Sequence, residues 1–200
     1  RLGGRLVGSF SIIQAMTGMI AATGSPESGP MRIGVPLVDI TTGLYAAIGI
    51  LMALSERQRS GLGQFLETTL YETGLAIMHP HTANYFMHGK PPGLTGNEHP
   101  NLVPYAIFPT KTDNIFIGVG NDGTFRKLAK EIGKPELGTD PRFARNKDRI
   151  ANRDALRAEL AAVFSQHEAE PLCDRLLAAG LPAGPVQSID QALTSAHTLH

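Results

Sequence analysis

The sequence predicts an α/β protein in two parts, a partial large α/β domain over residues 1–90 and a smaller α+β unit over residues 91–200. Apolar residues recur at helical spacing through much of the first part, with short extended stretches between them. Residues 89–100 hold three prolines and three glycines, too many interruptions for a regular element to persist. Beyond them, two short alternating runs flank a cluster of turn residues, which is the pattern of a hairpin.

In the first part, Phe10, Ile12, Ile13, Met16, Met19 and Ile20 follow a helical repeat that Thr23-Gly24-Ser25-Pro26 stops. Residues 27–31 contain Gly29-Pro30 and read as a loop, after which Ile33, Val35 and Leu37 alternate as in a strand leading to Asp39. Leu44, Ala47, Ile48, Leu51, Met52 and Leu54 then form a broad apolar helical surface, and Gly61 suits the turn that ends it. The small residues Ala46, Ala47, Gly49 and Ala53 admit close neighbours at some cost in helix propensity, so this helix is expected to be packed. Residues 64–69 are assigned to a strand, because Phe65 alternates with Glu67 after a glycine, and residues 70–86 return to a helical pattern.

In the second part, residues 105–108 and 115–119 are the expected strands, joined by Thr110-Lys111-Thr112-Asp113-Asn114. A helix over residues 121–132 puts Phe125, Leu128, Ala129 and Ile132 on one face. Residues 141–152 read as short helical or loop pieces, and Asn152 is placed to cap the helix whose stripe is Leu156, Leu160, Val163 and Phe164. Residues 169–179 give another helix closed by Gly180; Pro182 and Pro185 flank a short extended piece, and a last helix begins near Asp190.

Charge excludes little but says something. Eighteen basic residues balance 18 acidic ones, so there is no electrostatic footprint for nucleic acid or an anionic membrane. Cys173 is the only cysteine, so no intrachain disulfide can form, and its place beside Leu172 and Leu176 suits burial better than thiol catalysis. The apolar segment of residues 43–54 is shorter than the roughly 20 residues a bilayer span needs. A soluble, cytoplasmic protein is therefore expected. The chain opens on Arg1 and stops at His200, which reads as a fragment or processed piece. His79, His81, His88 and His99 share no standard metal-ligand spacing, so no metal is expected. Gly61-Leu62-Gly63 lacks the second half of a dinucleotide fingerprint.

The residue that most needs a reason is Asp39, an ionisable group where an apolar run turns into a helix. Capping is the commoner explanation: the carboxylate, with Thr41 or Thr42, can satisfy backbone N–H groups at the helix start. The same position also suits catalysis, because a helix N-terminus favours negative charge while apolar neighbours limit water. From the local residues alone, both readings stand.

Longer motifs separate them. Gln14-Ala15-Met16-Thr17-Gly18, Gly34-Val35-Pro36-Leu37-Val38-Asp39, Thr42-Gly43-Leu44-Tyr45 and Arg59-Ser60-Gly61-Leu62-Gly63-Gln64 occur in this order. They are followed by Gly96-Asn97-Glu98-His99-Pro100, Pro104-Tyr105, Gly118-Val119-Gly120-Asn121-Asp122, Asp140-Pro141-Arg142-Phe143, Asn152-Arg153 and Gly184-Pro185-Val186. In order and spacing, over nearly all 200 residues, the chain resembles the family III coenzyme A transferases, which include formyl-CoA and carnitine CoA-transferases and α-methylacyl-CoA racemases. The resemblance implies part of a doubly wound large domain plus a smaller α+β domain, in a protein that forms an intertwined homodimer when full length. It places the catalytic aspartate on Asp39, which attacks an acyl-CoA thioester and passes through an aspartyl anhydride and an aspartyl-CoA thioester. A carboxylate is needed because its anhydride stays activated in both directions, whereas a serine ester would not.

The partners so implied are an acyl-CoA donor and a small carboxylic or dicarboxylic acid acceptor, with the CoA thioester as substrate, no tightly bound cofactor, no nucleic acid and no membrane. Leu70 matches a family position near the thioester, although a core also wants an aliphatic residue there. Gly43 can admit the reacting group or serve helix packing, and Tyr45 can face the acyl group or fill the core. Asn97, His99 and Tyr105 belong to a motif that can border the acceptor pocket, with loop capping and hairpin packing as the plainer roles. Residues 89–97 occupy the place of a glycine-rich lid that excludes water in the family, but an ordinary interdomain turn is favoured since the glycines are not continuous. A racemase is the alternative within the family, although Ile40-Thr41-Thr42-Gly43 lacks the Phe-Gly-Gly-Gly run of racemases. A noncatalytic CoA-binding or assembly module is the alternative outside it.

Overall fold

The computed structural model describes residues 10–196, 198 and 199. The chain forms two compact units, Arg1–Gly96 and Asn97–His200.

The first unit is mainly helical. Helices α1 (Phe10–Met16) and α2 (Met19–Ala22) are separated by Gly18, whose φ of 81° breaks the repeat. Two two-residue strands, β1 (Gly24–Ser25) and β2 (Gly29–Pro30), pair antiparallel before the long helix α3 (Leu37–Ser60). Gly24 stands at φ 121° against the Gly29 carbonyl, where any side chain would collide. Helices α4 (Leu70–Ala76) and α5 (His81–His88) complete the unit. Ile13, Met19, Val38 and Met78 form its small buried cluster, with Leu70, Ile77 and Ile33 packed against it.

Four expectations fail in this unit, each for a physical reason. Residues 33–37 form no strand: the buried Gln14 side chain accepts from the Ile33 N–H at 2.9 Å and donates to its carbonyl at 3.3 Å. A side-chain amide thus takes the place of a neighbouring strand. Residues 64–69 form no strand, and Leu66 instead lies against Gly49 of α3. The helix expected over residues 70–86 is divided by turns at residues 77–80, where Pro80 can donate no backbone hydrogen bond. The packed helix is the fourth, since Val38 is the one buried residue of α3. With 24 residues, α3 runs past both ends of the apolar segment and is long and apolar enough, by length and composition alone, to cross a membrane. Asp39 in its first turn and Arg57 and Arg59 in its last bound that apolar stretch.

The second unit has a conventional core. Strands β3 (Tyr105–Pro109), β4 (Asn114–Gly118) and β5 (Ala183–Pro185) make an antiparallel sheet in that order, with Tyr105 opposite Gly118 and Ile115 opposite Pro185. Alternation sends Ala106, Phe108, Ile115 and Ile117 inward. They meet α6 (Asp122–Glu131), α8 (Arg153–Phe164) and α9 (Ala169–Ala178) in one cluster that includes Phe125, Leu156, Phe164 and Leu176. Helices α7 (Asn146–Ala151) and α10 (Ile189–Thr194) lie outside that list of core-building helices, α10 beginning with a capping box at Ser188. Cys173 is buried in the cluster, and burial pushes its thiol up to about 11, which leaves it protonated and inert at neutral pH.

Arg149 is fully buried and bridges three segments: it donates to the Val103 and Phe143 carbonyls and to the Asp122 carboxylate, with its guanidinium over the Phe125 ring. Burial lowers its pKa from the ordinary value, opposed by the Asp122 bond. Asn152 does stand at the N-cap of α8, but its amide bonds to the Arg142 and Asp148 carbonyls rather than to the helix start.

Candidate active site

Asp39 occupies the third position of α3 and is exposed. Pro36 holds the N-cap position, and no side chain caps the helix, so the capping role expected of Asp39 is not performed. The threonines do not share it either. Thr41 and Thr42 turn back and donate to the Leu37 and Val38 carbonyls at 2.8 and 2.7 Å. Among the described residues no donor or cation is bonded to the Asp39 carboxylate. It lies in the first turn of α3, at the end where backbone N–H groups have no partner within the helix. A carboxylate left this way retains its lone pairs for attack.

Gly43 lies one turn further along α3, about 40° around the axis from Asp39, and nothing stands where its side chain would be. Tyr45 is about 120° around in the other sense and is exposed, so it does not share that face. Leu70 opens α4 and packs on the cluster that contains Val38, the residue before Asp39. Thr69 caps α4, accepting from the Glu72 N–H at 3.1 Å.

Asn97, His99 and Tyr105 belong to the second unit. His99 and Tyr105 are in contact, with ring centroids 5.1 Å apart, and the His99 N–H donates to the Tyr105 carbonyl at 3.0 Å. His99 Nδ1 accepts from the Asn101 N–H at 3.0 Å, so the neutral ring carries its proton on Nε2. Tyr105 also meets Phe116 edge-on at 5.3 Å and lies across Gly118, which leaves room for it. Asn97 is exposed, two residues before His99. Residues 89–97 form no regular element, and Gly96 donates its N–H to the Gly24 carbonyl at 2.8 Å. Among the described residues, no group of three His, Cys, Asp or Glu side chains is placed to hold a metal ion.

Sequence reasoning missed three polar devices: Gln14 against Ile33, the buried Arg149, and Glu98 between Arg153 and Arg157. Gln14, Glu98 and Arg153 all lie inside the quoted motifs, and a polar residue fixed in an otherwise apolar or turn-forming motif was the available signal.

The first unit thus presents an exposed aspartate at a helix start, and the second holds a histidine-tyrosine contact in a hydrogen-bonded loop. Residues 7–200 match the family described as CoA-transferase family III, and the chain belongs to it. It is 38% identical to the acetyl-CoA:oxalate CoA-transferase of Acetobacter aceti over 91% of this chain and 47% of that protein. It is 38% identical to the succinyl-CoA–D-citramalate CoA-transferase of Chloroflexus aurantiacus, over 95% of this chain and 48% of that protein. Among solved structures, a CAIB/BAIF family protein from Brucella suis superimposes with a TM-score of 0.76 at 38% identity, covering 96% of this chain and 51% of that one. The chain spans about half the length of each of these relatives.

Proposed function

We propose that the protein transfers coenzyme A from an acyl-CoA thioester to a carboxylic acid, with Asp39 as the nucleophile. The Asp39 carboxylate attacks the thioester carbonyl, forming an acyl-aspartyl anhydride and releasing CoA thiolate. The thiolate then attacks the aspartyl carbonyl, which releases the first acid and leaves an aspartyl-CoA thioester. The incoming carboxylate displaces CoA to give a second anhydride, and returning thiolate takes the new acyl group and frees Asp39. Every step exchanges one activated acyl bond for another.

The observation that carries this reading is the state of Asp39: exposed, on the positive end of a 24-residue helix, and without a bonded donor or cation among the described residues. Family membership supports it, as do the activities for which the relatives are named, which include transfer to oxalate and to D-citramalate. On that basis the acceptor is a small dicarboxylic acid, and CoA is a substrate rather than a bound cofactor. Both anhydrides must be shielded from water. We assign that shielding to the assembled full-length homodimer, in which the apolar surface around Asp39 is covered.

Hydroxylamine tests the reading. The protein made from its complete reading frame is incubated with acyl-CoA donors, quenched with hydroxylamine, and digested for mass spectrometry. The Asp39 peptide is expected to carry the hydroxamate with any donor that turns over. Turnover with an unmodified Asp39 contradicts it, and deuterium entering the α-carbon without acid exchange identifies a racemase instead.

A further inference from the structure

Helix α1 turns Phe10, Ile13 and Gln14 to one side, at the i, i+3, i+4 spacing of a helical face. Those three residues hold the chain that leads into α3. The Gln14 amide is fully buried and grips Ile33 at two points, accepting from its N–H at 2.9 Å and donating to its carbonyl at 3.3 Å. The Arg32 guanidinium lies over the Phe10 ring, 5.8 Å from its centroid. Ile13 shares the small cluster with Val38, which is fully buried, and Ile33 packs against the same cluster. Asp39 is the next residue after Val38.

Little else fixes the start of α3. Among the described residues, the two bonds from Gln14 are the only hydrogen bonds that tie residues 32–42 to a distant part of the chain, since Leu37, Ile40, Thr41 and Thr42 all bond to carbonyls within four residues of themselves. Val38 is the one buried residue of the helix, and no side chain caps it. Asp39 has no bonded partner among the described residues, so the place of its carboxylate follows the place of the first turn of α3. Ile33 is half-buried, and without the Gln14 amide its two backbone groups find partners only by moving toward water. That movement would carry the start of the helix with it.

We propose that Gln14 is a positioning residue for Asp39: by fixing Ile33 it sets the entry of α3, and with it the place of the carboxylate. The proposal rests on the CoA-transfer reading and concerns the acylation step, in which the carboxylate must stand within attacking distance of the donor carbonyl and be correctly oriented. Gln14 acts only through the backbone it holds.

Single-turnover labelling of Asp39, with hydroxylamine capture of the acylated residue in protein made from the complete reading frame, tests it. Gln14→Met keeps the bulk and removes both bonds. It is expected to slow labelling at saturating donor by about ten-fold or more, with the donor concentration for half-maximal rate within about two-fold of the parent. Gln14→Glu, whose buried carboxyl is favoured in its neutral form and then offers Ile33 one acceptor and one O–H donor, is expected to label within about three-fold of the parent rate. Gln14→Asn, with an amide one methylene short of Ile33, takes the place of Gln14→Met if that variant does not fold. A role in stability alone would lower the melting temperature and the fraction of protein that labels but leave the rate of that fraction unchanged, and this result overturns the proposal. So does a Gln14→Glu protein as slow as Gln14→Met. Amide exchange at residues 33–41 reads the tie without any activity: exchange faster in Gln14→Met than the loss of global stability accounts for supports it, and exchange that follows global stability alone overturns it. A parent protein whose Asp39 is never labelled refutes the CoA-transfer reading separately, while the exchange result still decides whether Gln14 holds the start of α3.

Discussion

Helices α3 and α8 are both rich in apolar residues, yet the two units treat them in opposite ways. On α8 the apolar side chains keep to one stripe, and Leu156, Leu160 and Phe164 are completely buried. On α3 they stay in the open: Leu37, Ile40, Leu44, Ile48, Leu51, Met52 and Leu54 are all exposed, and Val38 alone is inside. The difference teaches where each unit's stability comes from. Among the described residues the second unit closes a core of 20 buried residues, whereas the first closes four and leaves the apolar side chains of its long helix in the open. Asp39 lies on that exposed helix, and the ion pairs of Glu98 lie on the well-packed unit.

The sharpest way to break this comparison is to remove one large side chain from each core. Phe164→Ala, which empties a fully buried ring site against Phe108, is expected to cost about 4 kcal/mol in urea unfolding of the second unit. Met78→Ala in the small cluster of the first unit should cost less, about 2 kcal/mol, since its site has few neighbours and can collapse. Equal losses would mean that the first unit has a core of the same kind. Smaller again is the loss of the Thr69 cap: Thr69→Ala is expected to destabilise by about 1 kcal/mol, read as a shift of the urea midpoint without a change of slope.

The smallest effect concerns Asp140, whose carboxylate accepts hydrogen bonds from the Arg142 side chain and backbone, which hold its pKa below the ordinary value. A depressed carboxylate contributes stability above its unfolded pKa and loses it as pH falls through the folded one. Asp140→Asn should therefore lower the melting temperature slightly at neutral pH and not at all at pH values below the folded pKa. A deficit that persists undiminished in acid would show that the side chain acts by packing.

What could be read from the sequence followed the same division. Strands β3 and β4 and helices α6, α8 and α9 were legible because their apolar periods point into a core that their own unit completes. Residues 33–37 and 64–69 alternate as strands do, but alternation specifies a face and supplies no partner. In one case Gln14 took the partner's place, and in the other Leu66 went to Gly49. The expectation of a packed α3 came from small residues that permit close approach, but such residues do not specify what approaches. Asp39 stood out correctly as a residue at a helix start. Its capping role did not follow, because Pro36 occupies the cap position and the threonines bond back into the helix. The ion pairs of Glu98 join residues 55 and 59 positions apart, and no local pattern encodes such a pairing.

Oxygen transfer tests the central claim most directly. When an acceptor acid labelled with oxygen-18 in its carboxylate displaces CoA from Asp39 and is then carried off by thiolate, the bridging oxygen of the anhydride stays on the enzyme. After turnover, the peptide containing Asp39 is expected to be heavier by about two mass units for each labelled oxygen retained. Transfer that proceeds at full rate while the Asp39 peptide keeps its original mass would contradict the account.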